Sequence, residues 1–414
     1  MLALVGGTLI DGTGQEPVSD SVVLVGDQGR IEAAGTRGSV QLAPDIPRLD
    51  ITGKTVLPGL IDCHDHLASF GYSLESRWGL TEPRSTRDLR IGQVLEDTLR
   101  TGYTTVRDCG WLDAGFKTAV DEGLVAGPRL LVASSPLSPT HGGQDRPADS
   151  GHRRYSMSDP VMPYGIADGV DGVRAAVREL VRVGADVIKV FQTGFGRATH
   201  RDVDTAYSLE ELRALVDESH ILGKKVACHA IGGPGLRTAV EAGVDSIEHG
   251  CYLDLEPDLL KMMADQGAYL VPTLTVFTFH ETRGNPVAQE ESQAFKRHHV
   301  ETVQRAMSEG VKVVAGTDAG GWVHGNNAAE LELLVQAGMT PMQSLVAGTG
   351  WAAGCLGLER ELGTVVAGKI ADLVVVDGDP LADITILQDK ERVQLVIKDG
   401  KLHHDGITQI GRGS

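Results

Sequence analysis

Between residues 56 and 360, short apolar runs recur at intervals, separated by stretches with helical spacing. They are residues 104–107, 130–133, 186–190, 225–229, 246–249, 269–272 and 311–316, preceded by the run that leads into His64. Runs of four to six residues between turn signals are strand-length, and the intervening segments are long enough for crossover helices. Such alternation predicts parallel strands, because each helix carries the chain back to the same edge before the next strand begins. Eight units of this kind predict the α/β class and a TIM-like (β/α)8 barrel over residues 56–360.

The two ends of the chain have a different texture. Residues 1–55 and 361–414 read as short strands broken by turns, as in Ser21-Val22-Val23-Leu24-Val25 and Leu373-Val374-Val375-Val376-Asp377, with no helical pattern in the first stretch. Neither end alone is long enough to bury a core, so the two are expected to form one small β-sandwich domain. Gly and Pro crowd residues 134–165, which predicts a long functional loop after a barrel strand.

Composition excludes several classes. A formal charge of -18 with no basic run argues against a protein that tracks nucleic-acid phosphates. No apolar stretch approaches the ~18 residues of a membrane span, and the first residues lack the charged and apolar regions of a signal peptide, so a cytoplasmic protein is expected. The five cysteines are odd in number and lack Cys-x-x-Cys spacing, which predicts buried packing residues rather than disulfides or a thiolate zinc site.

Chemistry is expected where the apolar runs end. His64 and His66 are separated by one residue, and in a strand such positions project from one face, so both imidazoles can meet one metal ion. Lys189, His229, His249 and Asp318 also close apolar runs. In a barrel these strand ends converge on the C-terminal rim however far apart they lie in sequence.

The stretches Val56-Leu57-Pro58-Gly59-Leu60-Ile61-Asp62-Cys63-His64-Asp65-His66, Asp186-Val187-Ile188-Lys189-Val190, Cys228-His229-Ala230, Ser246-Ile247-Glu248-His249-Gly250 and Gly316-Thr317-Asp318-Ala319-Gly320, with Gly368-Lys369-Ile370-Ala371-Asp372-Leu373 in the tail, give this chain a resemblance that covers nearly its whole length. It resembles the amidohydrolase superfamily, and within it the imidazolonepropionase-like and prolidase-like metal-dependent hydrolases. The resemblance implies two divalent ions, usually zinc, bridged by a lysine carboxylated by carbon dioxide. Carried over by position, His64, His66 and Asp318 hold one ion, His229 and His249 the other, and a carbamate on Lys189 spans them over about 3.5–4 Å. It further implies that Asp318 acts as general base and then general acid in hydrolysis of an amide-type carbon–nitrogen bond in a small molecule: a peptide-like compound, N-acyl amino acid, urea or carbamate. Relatives commonly form homo-oligomers.

Two departures weaken a dipeptidase reading. The His-Ala-Tyr of many peptidase-like relatives is here His229-Ala230-Ile231, and their Thr-Gly-Gly-His-Gly-Asp loop is here Thr140-His141-Gly142-Gly143-Gln144-Asp145. His141 and His324 are expected as catalytic-site contacts to substrate, one from each flanking loop. Trp111, Trp322 and Phe195 are candidates to line the pocket, and Arg153-Arg154-Tyr155 to pair with a substrate carboxylate. His298-His299 is expected in an exposed helix, outside the site. Lactone or ester hydrolysis on the same centre is the alternative. A deaminase is disfavoured because Gly232 stands where deaminases of the group carry glutamate, and a non-catalytic member because all six ligands are present.

Overall fold

The computed structural model describes residues 1–70, 82–143, 145, 162–194 and 205–407. Strands β1 (Leu2–Val5), β2 (Thr8–Leu9), β3 (Ser21–Val25), β4 (Ile31–Thr36), β5 (Arg48–Asp50) and β6 (Lys54–Pro58) open the chain. Strands β14 (Leu373–Asp377), β15 (Val393–Lys398) and β16 (Lys401–Asp405) close it. They form two sheets, β4-β3-β1-β5 and β16-β15-β14-β6-β2, and the second interleaves both chain ends because β14 pairs antiparallel with β6. Alternate apolar side chains of the two sheets meet in one core that includes Leu4, Val23, Ile51, Val56, Leu373, Val375 and Leu395. This sheet extends through Pro58, two residues past the start of the expected barrel segment.

Gly59 alone separates β6 from β7 (Leu60–Asp65). A Cβ there would lie 2.1 Å from Thr104 Oγ1, so the abrupt passage from one sheet to the other requires glycine. β7 pairs in parallel with β8 (Tyr103–Asp108), and β8 with β9 (Arg129–Val132). A second parallel sheet runs β10 (Val187–Phe191), β11 (Lys225–Ala230), β12 (Ser246–His249), β13 (Tyr269–Val271). Leu137 bridges to Val190 and links the end of the first sheet to β10.

Residues 311–316 were expected as a regular eighth strand, and the structure makes them an interrupted one. Val313 bridges Leu270 and Ala319 bridges Asp65, while Cys63 N donates to Ala315 O and Asp318 N to His64 O at 2.7 Å. The segment thus joins β13 to β7, but its ladder breaks where Asp318 takes φ 52° and turns inward. Gly316 permits the close approach: a Cβ there would stand 2.9 Å from that of His64.

Helices cover the outer face of the parallel strands. α1 (Arg84–Arg100), α2 (Ala114–Asp121), α3 (Gly169–Arg182), α4 (Leu209–Ile221), α5 (Gly233–Ala242), α6 (Pro257–Gln266), α7 (Leu274–Arg283), α8 (Pro286–Ser308), α9 (Ala329–Gln336), α10 (Pro341–Ala347) and α11 (Gly350–Leu356) follow in order. α3 shows the usual cause: Val173, Val177 and Leu180 recur at helical spacing and are buried against the strands. α4 begins in a capping box in which Ser208 and Glu211 satisfy each other's backbone N–H groups. No described helix is long and apolar enough to cross a membrane.

Candidate metal centre

Six side chains from five elements meet at one end of the parallel strands. His64 lies near the end of β7 with His66 just beyond it, Lys189 is in β10, His229 in β11, His249 ends β12, and Asp318 comes from the segment after β13. All six are buried. Ring centroids of His64 and His66 are 5.3 Å apart, His64 and His249 5.1 Å, and His229 and His249 4.6 Å. Asp318 Oδ1 lies 3.3 Å from His66 Nε2 and 3.7 Å from His64 Nε2. Lys189 Nζ is 3.3 Å from His64 Nε2.

The second nitrogen of each imidazole decides where its lone pair points. His64 Nδ1 donates to Glu248 Oε2 at 2.7 Å, and His66 Nδ1 to the Gly110 carbonyl at 3.2 Å. Thr273 spends its own proton on Pro272 O, so its Oγ1 accepts from His249 Nδ1 at 2.7 Å. These contacts leave the lone pairs of His64, His66 and His249 on Nε2. His229 is the reverse, with Nε2 3.1 Å from Gly194 O and the lone pair on Nδ1. Burial, reinforced by the Lys189 charge, lowers the ring of His64 to about 4 and that of His229 to about 3. Burial also lowers His66 and His249, so all four rings are neutral at pH 7. Against the effect of burial, the carboxyl of Asp318 is held well below the ordinary carboxylate range within this ring of imidazoles.

Four neutral imidazoles, one ionised carboxylate and one buried amine form a donor set suited to divalent transition metals. His64, His249 and Asp318 offer ligand atoms that all lie within 4.8 Å of one another. Lys189 is 1% exposed, and no carboxylate among the described residues pairs with its Nζ. A bare ammonium would meet the His64 lone pair and the Phe191 ring but no countercharge among the described residues, at a cost, whereas an anionic amine derivative would complete the set. The residues therefore fit a metal centre.

The surrounding shell fixes these donors. Asp62 accepts from His64 N at 2.9 Å, from Thr317 N at 3.2 Å and from Thr317 Oγ1 at 2.7 Å, tying the His64 strand to the segment that carries Asp318. Asn327 Nδ2 donates to both Asp62 at 2.7 Å and Asp65 at 2.9 Å, and burial raises each of these carboxyls to about 7. Glu330 accepts from Leu274 N at 2.9 Å and Thr275 N at 2.8 Å, capping α7 directly after the Thr273 that holds His249. Non-glycine residues with positive φ gather here as well: Trp111, His249, Thr273 and Asp318 all adopt it. Strain of this kind persists only where surrounding contacts over-determine the backbone.

A family model described as the amidohydrolase family matches residues 55–403. The chain belongs to the amidohydrolase family. It is accordingly a hydrolase, and family membership with the structural superpositions implies a TIM barrel accompanied by a small domain. Ochratoxinase of Aspergillus niger is 31% identical over 420 residues, which cover 96% of this chain and 85% of the relative. The ochratoxinase crystal structure superposes with a TM-score of 0.86 at 29% identity, over 98% of this chain and 95% of that one. A crystal structure of an Xaa-Pro dipeptidase with bound methionine gives 0.85 at 31% identity, covering 97% and 99%. Molinate hydrolase gives 0.80 at 27% identity, covering 97% and 94%.

Other expected site residues of this amidohydrolase occupy varied positions. His324 is partly buried, with Nε2 2.8 Å from Ser69 O and Nδ1 3.7 Å from Asp65 Oδ1, so its ring is engaged by the protein. His141 is exposed, has φ 69°, and its backbone N donates to Asp145. Trp111 packs its ring 4.7 Å from that of His66, while Trp322 Nε1 donates to Thr317 O at 3.0 Å. Phe195 and Arg153-Arg154-Tyr155 lie outside the described residues. The expectation of an exposed His298-His299 is corrected: His298 is partly buried with Nδ1 2.7 Å from Asp254 Oδ2, and His299 faces inward at 2% exposure, against Phe277, where burial lowers its ring to about 4. Glu248, Arg107, Asn327 and Glu330 were not singled out from sequence. A charged residue inside an apolar run, as Arg107 is, was the available signal.

Proposed function

We propose that this amidohydrolase binds two divalent ions, zinc being the best match to the donor set, and hydrolyses amide-type carbon–nitrogen bonds of small molecules. The observation that carries this reading is the convergence of four neutral imidazoles, the Asp318 carboxylate and the buried Lys189 amine in one cluster. His64, His66 and Asp318 would hold one ion, His229 and His249 the other, and Lys189, carboxylated on Nζ, would be shared. Such ions, when bound, supply Lewis-acid polarisation of the scissile carbonyl and lower the pKa of a coordinated water.

The protein's own part is proton management and positioning. Asp318 is ionised and can take a proton from the attacking water, then deliver it to the leaving nitrogen, which is a poor leaving group until protonated. Trp111 beside His66, and Phe277 with its ring centroid 5.6 Å from that of His249, place apolar walls against the cluster. They favour a substrate with an apolar or aromatic acyl portion. Similar proteins named for ochratoxin, Xaa-Pro dipeptides and molinate support a carbon–nitrogen bond as the target class while leaving the leaving group open.

The deciding experiment reconstitutes the purified protein with zinc and bicarbonate, measures metal content, and screens dipeptides, N-acyl amino acids, aryl amides, ureas and carbamates beside matching esters and lactones. About two ions per chain with amide-type hydrolysis is expected. Fewer than about one ion per chain would overturn the centre. Hydrolysis confined to esters or lactones would overturn the bond class.

A further inference from the structure

Beneath the ligand cluster lies a buried ion pair that the roles above do not absorb. Arg107 of β8 and Glu248 of β12 are 2% and 0% exposed, with Nη2 and Oε1 2.7 Å apart. Ser246 Oγ donates to Glu248 Oε1 at 2.5 Å and accepts from Arg107 Nη1 at 3.1 Å, closing a three-residue ring. The other carboxylate oxygen, Oε2, receives His64 Nδ1–H. Arg107 Nε donates to the carbonyl of Cys63, the residue before His64. The pair therefore grips His64 twice, at its ring and at the backbone that presents it.

Stability alone does not account for this arrangement. Removing two full charges from water is costly, and apolar side chains of similar volume commonly serve a core as well or better. What a charged pair provides is direction. Among the four histidines, His64 alone has a carboxylate on its second nitrogen among the described residues. His66 and His249 donate to neutral oxygens of Gly110 and Thr273, and His229 to that of Gly194. A carboxylate on the far nitrogen fixes the tautomer and makes the near nitrogen a stronger donor than a carbonyl or hydroxyl partner does.

We propose that Glu248 and Arg107 are positioning residues for the metal centre: Glu248 holds the proton on His64 Nδ1 and aims Nε2 at the ion, and Arg107 supplies the countercharge and fixes the Cys63–His64 backbone. This deepens the metal-centre reading and rests on it. His64 becomes the strongest-donating imidazole of the set, and the Arg107–Glu248 pair sets the affinity of the site it shares with His66 and Asp318.

The test uses the full chain and cobalt(II) alone as the probe. Chelator-competition affinity, the cobalt absorption spectrum and the melting temperature of the metal-free protein are compared for wild type, Glu248→Gln, the double variant Arg107→Met with Glu248→Gln, and Ser246→Ala. Glu248→Gln should weaken cobalt binding about 10–100-fold and shift the ligand-field bands. The double variant, which removes the stranded guanidinium, should show the same loss. Ser246→Ala leaves every charge in place and should weaken binding by a smaller factor, which keeps the proposal falsifiable if the charge variants fail to fold. A purely structural role would lower the melting temperature and leave affinity and spectrum unchanged, and that result overturns the proposal. A wild-type protein that binds no cobalt would instead overturn the metal-centre reading itself.

Discussion

Lys189 Nζ stands 3.3 Å from His64 Nε2, and both side chains are 1% exposed. An ammonium at that distance competes with any cation for the imidazole lone pair, so metal binding and an unmodified Lys189 oppose each other. Protein loaded in labelled bicarbonate is expected to carry one carbamate per chain, seen by carbon NMR. Lys189→Ala should lose at least half of the bound metal and most of its turnover, with partial return when a short carboxylic acid is supplied. Full metal occupancy in Lys189→Ala would remove the bridging role.

Asp318 is the general base and acid of the proposed mechanism. Asp318→Asn should keep substantial metal yet lose about 10²–10⁴-fold in kcat. The acidic limb of its pH–rate profile should flatten, because the group that must be ionised on that side is gone. A near-normal rate, measured on the same metal content, would reassign the general base.

Glu330 makes a prediction about stability and pH. Burial raises its carboxyl from 4.5 to about 8 despite the hydrogen bonds from Thr275 and Leu274. The native state therefore holds a proton that the unfolded chain has released between those values, so this group's contribution to stability is present below pH 4.5 and is lost as pH rises toward 8. Relative to Glu330→Gln, the wild type should lose up to about 1.4 kcal/mol per pH unit across that window. Glu330→Ala should cost a further ~1–3 kcal/mol, because two backbone N–H groups at the start of α7 lose their acceptor. Urea unfolding of the metal-free variants at pH 5, 6.5 and 8 checks both statements.

The two loop histidines separate by their surroundings. His324→Ala should lower the melting temperature, because Ser69 O loses its hydrogen-bond donor and a partly buried ring is removed, with less than about tenfold change in kcat/KM. His141→Ala leaves the core untouched, so an effect on KM alone would mark a substrate contact and no effect would remove it from the site. Steady-state kinetics beside thermal melts distinguish the two cases.

Much of this arrangement was legible in the chain. The β/α spacing marks the parallel strands, and the rule that strand ends share one rim brings His64, His66, Lys189, His229, His249 and Asp318 to one address. That inference works because each of the six side chains is fixed by its place in a local element. The distant partners of these side chains were not legible for the complementary reason. Arg107 meets Glu248 across 141 residues, and Glu330 caps Leu274 across 56. The sequence marks such residues only as charges inside apolar surroundings.

The sequence by itself determined the order of strands and helices, the β character of both ends, and the donor types available for a metal centre, since these follow from period, turn chemistry and side-chain identity. Tertiary structure alone decided that His299 turns inward while its neighbour His298 stays partly exposed, and that the segment carrying Asp318 leaves its ladder early. It also set the partners from which the tautomers of His64, His66, His229 and His249 follow. Those outcomes depend on how desolvation is balanced by partners contributed from distant elements, and that balance exists only once the chain has folded.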